Sequence, residues 1–312
     1  MTYRRSDYDV SNDVKTTDPA AVNTEIDRIF ARLYPDEAPT KIDQAFRDLI
    51  ALYAGRFPGF RACDTPYHDM QHVLDVTLAM ARLIDGYESA RIGVETLDAP
   101  LFRLGVITAL FHDCGYVRTV DDTEHTNGGE LTLTHVSRGA QFLKTYLPSI
   151  GMGEVADVAA KLIHFTGYET PVARIEMPSL RQKLLGCMLG SADIIAQMAD
   201  RCYLEKCRDR LYPEFVAAGI ARKRLPNGNV EVVFESGADL VKKTPKFFES
   251  AIQRLETDLE GTYQYIGGHF SGENPYINEC VKNVRFAEGF ANEPDASSLK
   301  RNPPSTIADS GT

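Results

Sequence analysis

The sequence predicts an all-α protein, and three observations carry that expectation. Apolar residues recur at helical spacing along most of the chain. The period-two alternation of a half-buried strand is confined to one short stretch. Side chains able to bind a metal are spread one set to a helix, as when a bundle builds a site from inward-facing residues. With 312 residues, 43% of them hydrophobic and 25% charged, the chain is long enough to bury a real core.

Residues 1–20 are polar with little periodicity and are expected to form a flexible N-terminal arm. Val22, Ile26, Ile29, Phe30 and Leu33 mark a first helix that stops at Tyr34-Pro35. Ile42, Phe46, Leu49 and Ile50 mark a second, over about 41–53. Beyond Pro66 helical segments follow at about 68–85, 100–113, 130–147, 152–165, 179–199 and 201–218, with Gly, Pro, Asn or Asp at each break. A basic run at 221–225 and a β-branched run at 230–234 flank Asn227-Gly228, which predicts a small hairpin near 221–234. Two more helices are expected at about 245–260 and 275–290. The Pro-, Ser- and Asp-rich residues 293–312 read as a disordered tail. Residues 21–292 are thus expected to be a single helical domain, with no internal repeat.

A formal charge of −10 argues against a protein that wraps nucleic acid. It leaves a small phosphate ester open, because bound metal ions reverse the field inside one pocket. No apolar run approaches the ~20 residues of a membrane span, and the N-terminus lacks the apolar segment of a secretory signal. The six cysteines show no paired spacing, which suits reduced thiols in a cytoplasmic protein.

The seven histidines hold most of the information. His68 and His72, four apart, are expected on one helix face, able to bind a metal or to divide into ligand and proton donor. His112-Asp113 ends an apolar helix over 101–111, with Gly115 expected to stop it. Imidazole plus carboxylate there suits a transition metal, although an N-cap or a local salt bridge explains either His-Asp pair, at 68–69 or at 112–113. Asp193 stands in an otherwise apolar helix, where a carboxylate is costly unless it is paired with a base or bound to metal. His135 opens one helix and His164 closes another. His125 and Glu130 are either partners of the site or part of a solvated acidic loop. His269 reads as a packed turn.

Taken together, these residues resemble the HD superfamily of metal-dependent phosphohydrolases, with its ordered His…His-Asp…Asp signature. Pro66-Tyr67-His68-Asp69-Met70-Gln71-His72 with Asp75-Val76 resembles the opening motif of class I cyclic-nucleotide phosphodiesterases. Ala192-Asp193, Glu214-Phe215 and Gly219 are similar to later stretches of that family. His135 with Gly139-Ala140, His164 and Asp200-Arg201 are closer to the bimetallic HD-GYP cyclic-dinucleotide phosphodiesterases. Two elements depart: the GYP signature is absent, and His112-Asp113-Cys114-Gly115-Tyr116 replaces His-Asp-x-x-His.

The resemblance implies an HD-type helical bundle with a catalytic core at about 66–219. It implies a phosphoric diester hydrolase for a cyclic nucleotide, or for a cyclic dinucleotide or nucleotide monophosphate, with a non-catalytic nucleotide-binding protein as the reading from another class. His72, His112, Asp113 and Asp193 are then expected to hold a first metal (zinc, manganese or iron). Asp113, His135 and His164 are expected to hold a second (magnesium, manganese or iron). His68 is expected as the general acid. The one expected partner is a small-molecule nucleotide; neither nucleic acid nor membrane is expected. Gln264 is not expected to contact a base.

Overall fold

The computed structural model describes residues 4–90, 95–225, 227–293 and 296–305. Its helices are α1 (Pro19–Leu33), α2 (Thr40–Tyr53), α3 (Met70–Ala90), α4 (Ala99–Leu110), α5 (His135–Ser149), α6 (Ala156–Leu162), α7 (Leu180–Ala199), α8 (Tyr203–Lys206) and α9 (Tyr212–Ala217). After a hairpin of β1 (Arg222–Arg224) and β2 (Val230–Val232) come α10 (Gly237–Glu256), α11 (Ile266–His269) and α12 (Pro275–Asn292). The hairpin is antiparallel, with Arg222 opposite Val232 and Arg224 opposite Val230. The all-α expectation and its single hairpin hold.

Helix α3 is the centre of the packing. It is buried on nearly every face and lies against α1, α4, α7 and α11, as expected of a helix that is apolar all round. Its two internal charges are neutralised from other elements. Arg82 pairs with Asp9 at 2.7 Å and meets the Tyr276 hydroxyl at 3.0 Å. Asp85 pairs with Arg32 and with His269 Nδ1 at 2.6 Å, which gives His269 a place beyond a packed turn.

Both ends of the chain differ from the sequence reading. Residues 4–18, expected as a flexible arm, are packed: Asp9 is buried, accepts from the amides of Asp13 and Val14, and carries the ion pair to Arg82. Arg4 donates to the Ala199 carbonyl at 2.7 Å, and Ser6 accepts from Gln71. Part of the expected disordered tail is packed too, since Leu299 is buried and the Arg301 amide donates to Glu205. A polar segment can thus be ordered by ion pairs and backbone hydrogen bonds that leave no periodic trace. Residues 306–312 lie outside the described residues.

Other boundaries moved for local reasons. Helix α10 starts at Gly237 rather than near 245, because Ser236 accepts from the Asp239 amide and caps it. The segment expected over 201–218 is helical from Tyr203 to Ala217, with a π turn at Cys207–Leu211 joining α8 to α9. Helix α3 starts at Met70, so His68 precedes it, and Asp69 accepts from the His72 amide at 2.9 Å. The first His-Asp pair therefore supplies a helix cap.

Candidate functional site

Three elements bring ligand-type side chains to one point. His72 comes from the first turn of α3, His112 and Asp113 from the end of α4, and Asp193 from α7. His72 Nε2 lies 3.1 Å from Asp113 Oδ2, His112 Nε2 lies 3.2 Å from the same oxygen, and the two nitrogens are 3.3 Å apart. Asp193 Oδ1 closes the group at 3.5 Å from His72 and 3.8 Å from His112.

While both histidines are neutral, the protons do not suffice for this arrangement. His112 Nδ1 faces the Ala109 carbonyl at 2.8 Å and must donate to it, which leaves Nε2 with a lone pair. Asp113 Oδ2 is buried and receives no hydrogen bond. With His112 neutral, at most one proton, from His72, can lie among three converging acceptors. A divalent cation satisfies all of them, so the residues fit a metal. The charges agree. Burial opposes a charge on His112, yet Asp113 and Asp193 outweigh it and lift the imidazole to about 9. Burial also opposes the Asp113 carboxylate, yet His112 and His68 hold it well below the usual range. The site calls for positive charge at its centre.

Asp113 has a second face. His135 Nδ1 donates to the Thr132 carbonyl at 2.7 Å, so its Nε2 lone pair is turned toward Asp113 Oδ1 at 3.7 Å. Burial holds His135 below its ordinary value and so favours the neutral imidazole that a metal would need. His164 Nδ1 is buried and has no hydrogen-bond partner among the described residues. It pairs with Glu169 at 3.4 Å and forms no ion pair with Asp113 or Asp193. Helix α6 ends at Leu162, and His164 falls on the short turn beyond it.

His68 stands beside the cluster, with its ring 5.7 Å from that of His72. Its Nδ1 donates to Glu214 Oε2 at 2.5 Å, and the other oxygen of Glu214 accepts from the Tyr67 amide at 2.7 Å. Burial works against a charge on His68, but Glu214 and Asp113 raise it above its ordinary value. Glu214 belongs to α9, so this pair joins positions 146 residues apart.

These groups lie at one end of a cavity of about 790 Å³, within the range of about 300–1,000 Å³ usual for small-ligand sites. Its lining includes the apolar side chains Phe215, Val233, Phe234, Leu240 and Phe247.

No protein-family model matches the chain, and no curated protein matches it. Two solved structures do, both from the choanoflagellate Salpingoeca rosetta. The phosphodiesterase domain of a RhoPDE fusion protein is 13% identical with a TM-score of 0.54, over 92% of this chain and 95% of that one. The phosphodiesterase domain of rhodopsin phosphodiesterase is 14% identical with a TM-score of 0.55, over 92% of each chain. The chain has the fold of these phosphodiesterase domains. At this identity the likeness is one of architecture, and the chemistry must be argued from the side chains.

Of the predicted site residues, the fold gathers His68, His72, His112, Asp113, His135 and Asp193, while the charged neighbour of His164 is Glu169. Asp193 has no lysine or arginine partner among the described residues; the basic side chains beside it are the two histidines. His125 pairs with Asp122 at 3.0 Å and Glu130 accepts from the Thr126 amide, so both belong to the acidic loop. Gln264 lies on the turn Thr262–Tyr265, away from the cavity. Sequence reasoning missed Glu214 as the partner of His68, and it missed Tyr116 and Thr132 beside them. The one available signal was Tyr116 itself, in place of the second histidine of His-Asp-x-x-His. All six cysteines are free, and no described helix is long and apolar enough to cross a membrane.

Proposed function

We propose that the chain is a metal-dependent phosphodiesterase of the HD type that hydrolyses a 3′,5′-cyclic nucleotide to the 5′-monophosphate. One observation carries this reading. The buried Asp113 Oδ2, without a hydrogen-bond donor, faces two imidazole nitrogens at 3.1 and 3.2 Å, beside a histidine whose outer nitrogen is held by a carboxylate. His72, His112, Asp113 and Asp193 hold a first divalent ion of the zinc, manganese or iron type. His135 and the outer oxygen of Asp113 begin a second site for magnesium, manganese or iron, which His164 joins only by turning from Glu169. Ions bound there supply Lewis acidity toward a phosphoryl oxygen and a water acidic enough to attack at neutral pH.

The chain's own part is proton delivery and fit. His68, oriented by Glu214, donates from Nε2 to the leaving 3′-oxygen. The apolar wall takes the base, and an acidic surface adds little hold on a long anion. The second reading keeps the chemistry and changes the substrate to a cyclic dinucleotide, which the cavity volume favours.

Purified protein is expected to contain divalent metal and to convert cyclic AMP or cyclic GMP to the 5′-monophosphate faster than it consumes cyclic di-GMP. His68→Ala should lower that turnover about 100-fold or more with metal content intact. Metal-loaded protein that binds nucleotide without converting any of the three would replace the enzymatic reading with a binding one. Consumption of cyclic di-GMP alone would move the assignment to the dinucleotide.

A further inference from the structure

Two arginines are buried among the described residues, and the fold treats them differently. Arg82 pairs with the Asp9 carboxylate at 2.7 Å. Arg254, on α10 and only 7% exposed, makes no ion pair with any described residue. A guanidinium keeps its charge at every physiological pH, so the fold buries a full positive charge without its counter-ion. Two neighbours offset part of that cost. Nη2 donates to the carbonyls of Phe165 and Gly167 at 2.7 and 2.6 Å, and the Tyr168 ring lies 4.0 Å from the guanidinium carbon. Dipoles and a π face leave the net charge in place. Nε is buried without an acceptor in both arginines, so the missing carboxylate is what sets Arg254 apart.

Arg254 lines a second cavity, of about 280 Å³, together with Thr170, Ser250, Gln253 and Thr257. The hydroxyls of Ser250 and Thr257 donate to carbonyls of α10 at 3.3 and 2.7 Å. The Thr170 hydroxyl and the Gln253 amide have no such engagement among the described residues. One cation flanked by two free neutral donors suits the several oxygens of a phosphoryl group. Asp258 is the one acid in this lining, and it forms no ion pair with Arg254. Tyr168 and Ser250 line this cavity and the metal cavity alike, so the two adjoin.

We propose that this second cavity binds a phosphoryl oxyanion, with Arg254 as its charge and Thr170 and Gln253 as its neutral donors. The anion supplies the missing counter-charge. The two carbonyls already hold the guanidinium in place, so little side-chain freedom is lost on binding. The same chemistry has two sources: a free phosphate or phosphate monoester, or the second phosphate of a substrate held across the shared wall. Neither source depends on how the metal cavity performs its reaction.

The probe is inorganic phosphate, titrated into the full-length, zinc-loaded protein. The readout is the nitrogen-15 signal of the Arg254 Nε–H, identified by its loss in Arg254→Lys. That signal is expected to shift saturably with phosphate. Gln253→Glu adds an acid to the exposed lining and leaves the carbonyl contacts intact; it should weaken binding about 10-fold. Asp258→Asn removes the one acid and should tighten binding about threefold. A signal that phosphate leaves unmoved would overturn the proposal. So would an affinity equal in wild type and both variants, the result expected of phosphate held at the metals. Either outcome would leave Arg254 as a clamp for the Phe165 and Gly167 carbonyls alone. Steady-state kinetics separates the sources. For a free anion, Gln253→Glu should leave KM for cyclic AMP and for cyclic di-GMP unchanged. A rise of about 10-fold for cyclic di-GMP alone would assign the cavity to the second phosphate of the substrate. Should the protein hydrolyse neither, the phosphodiesterase reading fails alone, because the phosphate titration needs no turnover.

Discussion

The chemistry turns on protons that are missing or fixed in place. His112 has one nitrogen committed to a backbone carbonyl and the other facing Asp113, and without metal it is lifted to about 9 from an ordinary 6.5. A raised value in the folded state has a definite sign: the stabilising contribution is full below about 6.5 and is lost as pH climbs through about 9. Metal must displace that proton, so its affinity should rise across the same interval. Melting curves of chelator-treated protein are expected to shift to lower temperature between these limits, and saturating metal should abolish the shift. A chelated protein with no such loss would show that His112 is not the group taking up the charge.

At the scale of elements, the candidate site was legible wherever a ligand-type side chain sits inside a periodic stretch. His72 and Asp193 could be assigned because apolar neighbours on α3 and α7 turn their faces inward. His68 could not be placed correctly, since four residues are one turn only if the helix already exists, and the Asp69 cap starts α3 after it. Glu214 was out of reach because its contact with His68 depends on the packing of α9. Gly115 was read as a helix stop, whereas its need is close approach: a side chain there meets the backbone of His135. Gly115→Ala is therefore expected to destabilise the protein by about 1–3 kcal/mol, in the range of overpacking, and to weaken metal retention by shifting His135 and Tyr116. Gly289→Ala on α12, with nothing within 4 Å of the added carbon, is the matching control and should stabilise by up to about 1 kcal/mol. Denaturant midpoints of the two variants moving in the same direction would refute this account of Gly115.

On the scale of the whole molecule, the cavity joins two parts of the chain with different duties. The metal end comes from α3, α4 and α7, which share the apolar core, so its geometry is set by the packing that holds the fold. The apolar lining comes from α9, α10 and the segment between them, where Phe234 stacks on Phe215 at 5.8 Å and Phe247 is 39% exposed. A half-exposed aromatic in that lining can be removed at small cost to the core, and it touches none of the groups proposed to transfer protons or hold metal. Its contact with a base is the same before and during the reaction, so losing it weakens both states alike. Phe247→Ala is thus expected to raise KM by about 3- to 30-fold, the value of a partly buried aromatic contact, while kcat, metal content and melting temperature stay near those of the wild type. A fall in kcat at constant KM would place the wall in the transition state. No kinetic change would place the base elsewhere in the cavity. Steady-state kinetics on the better cyclic mononucleotide separates these outcomes, because the metal end is common to all of them.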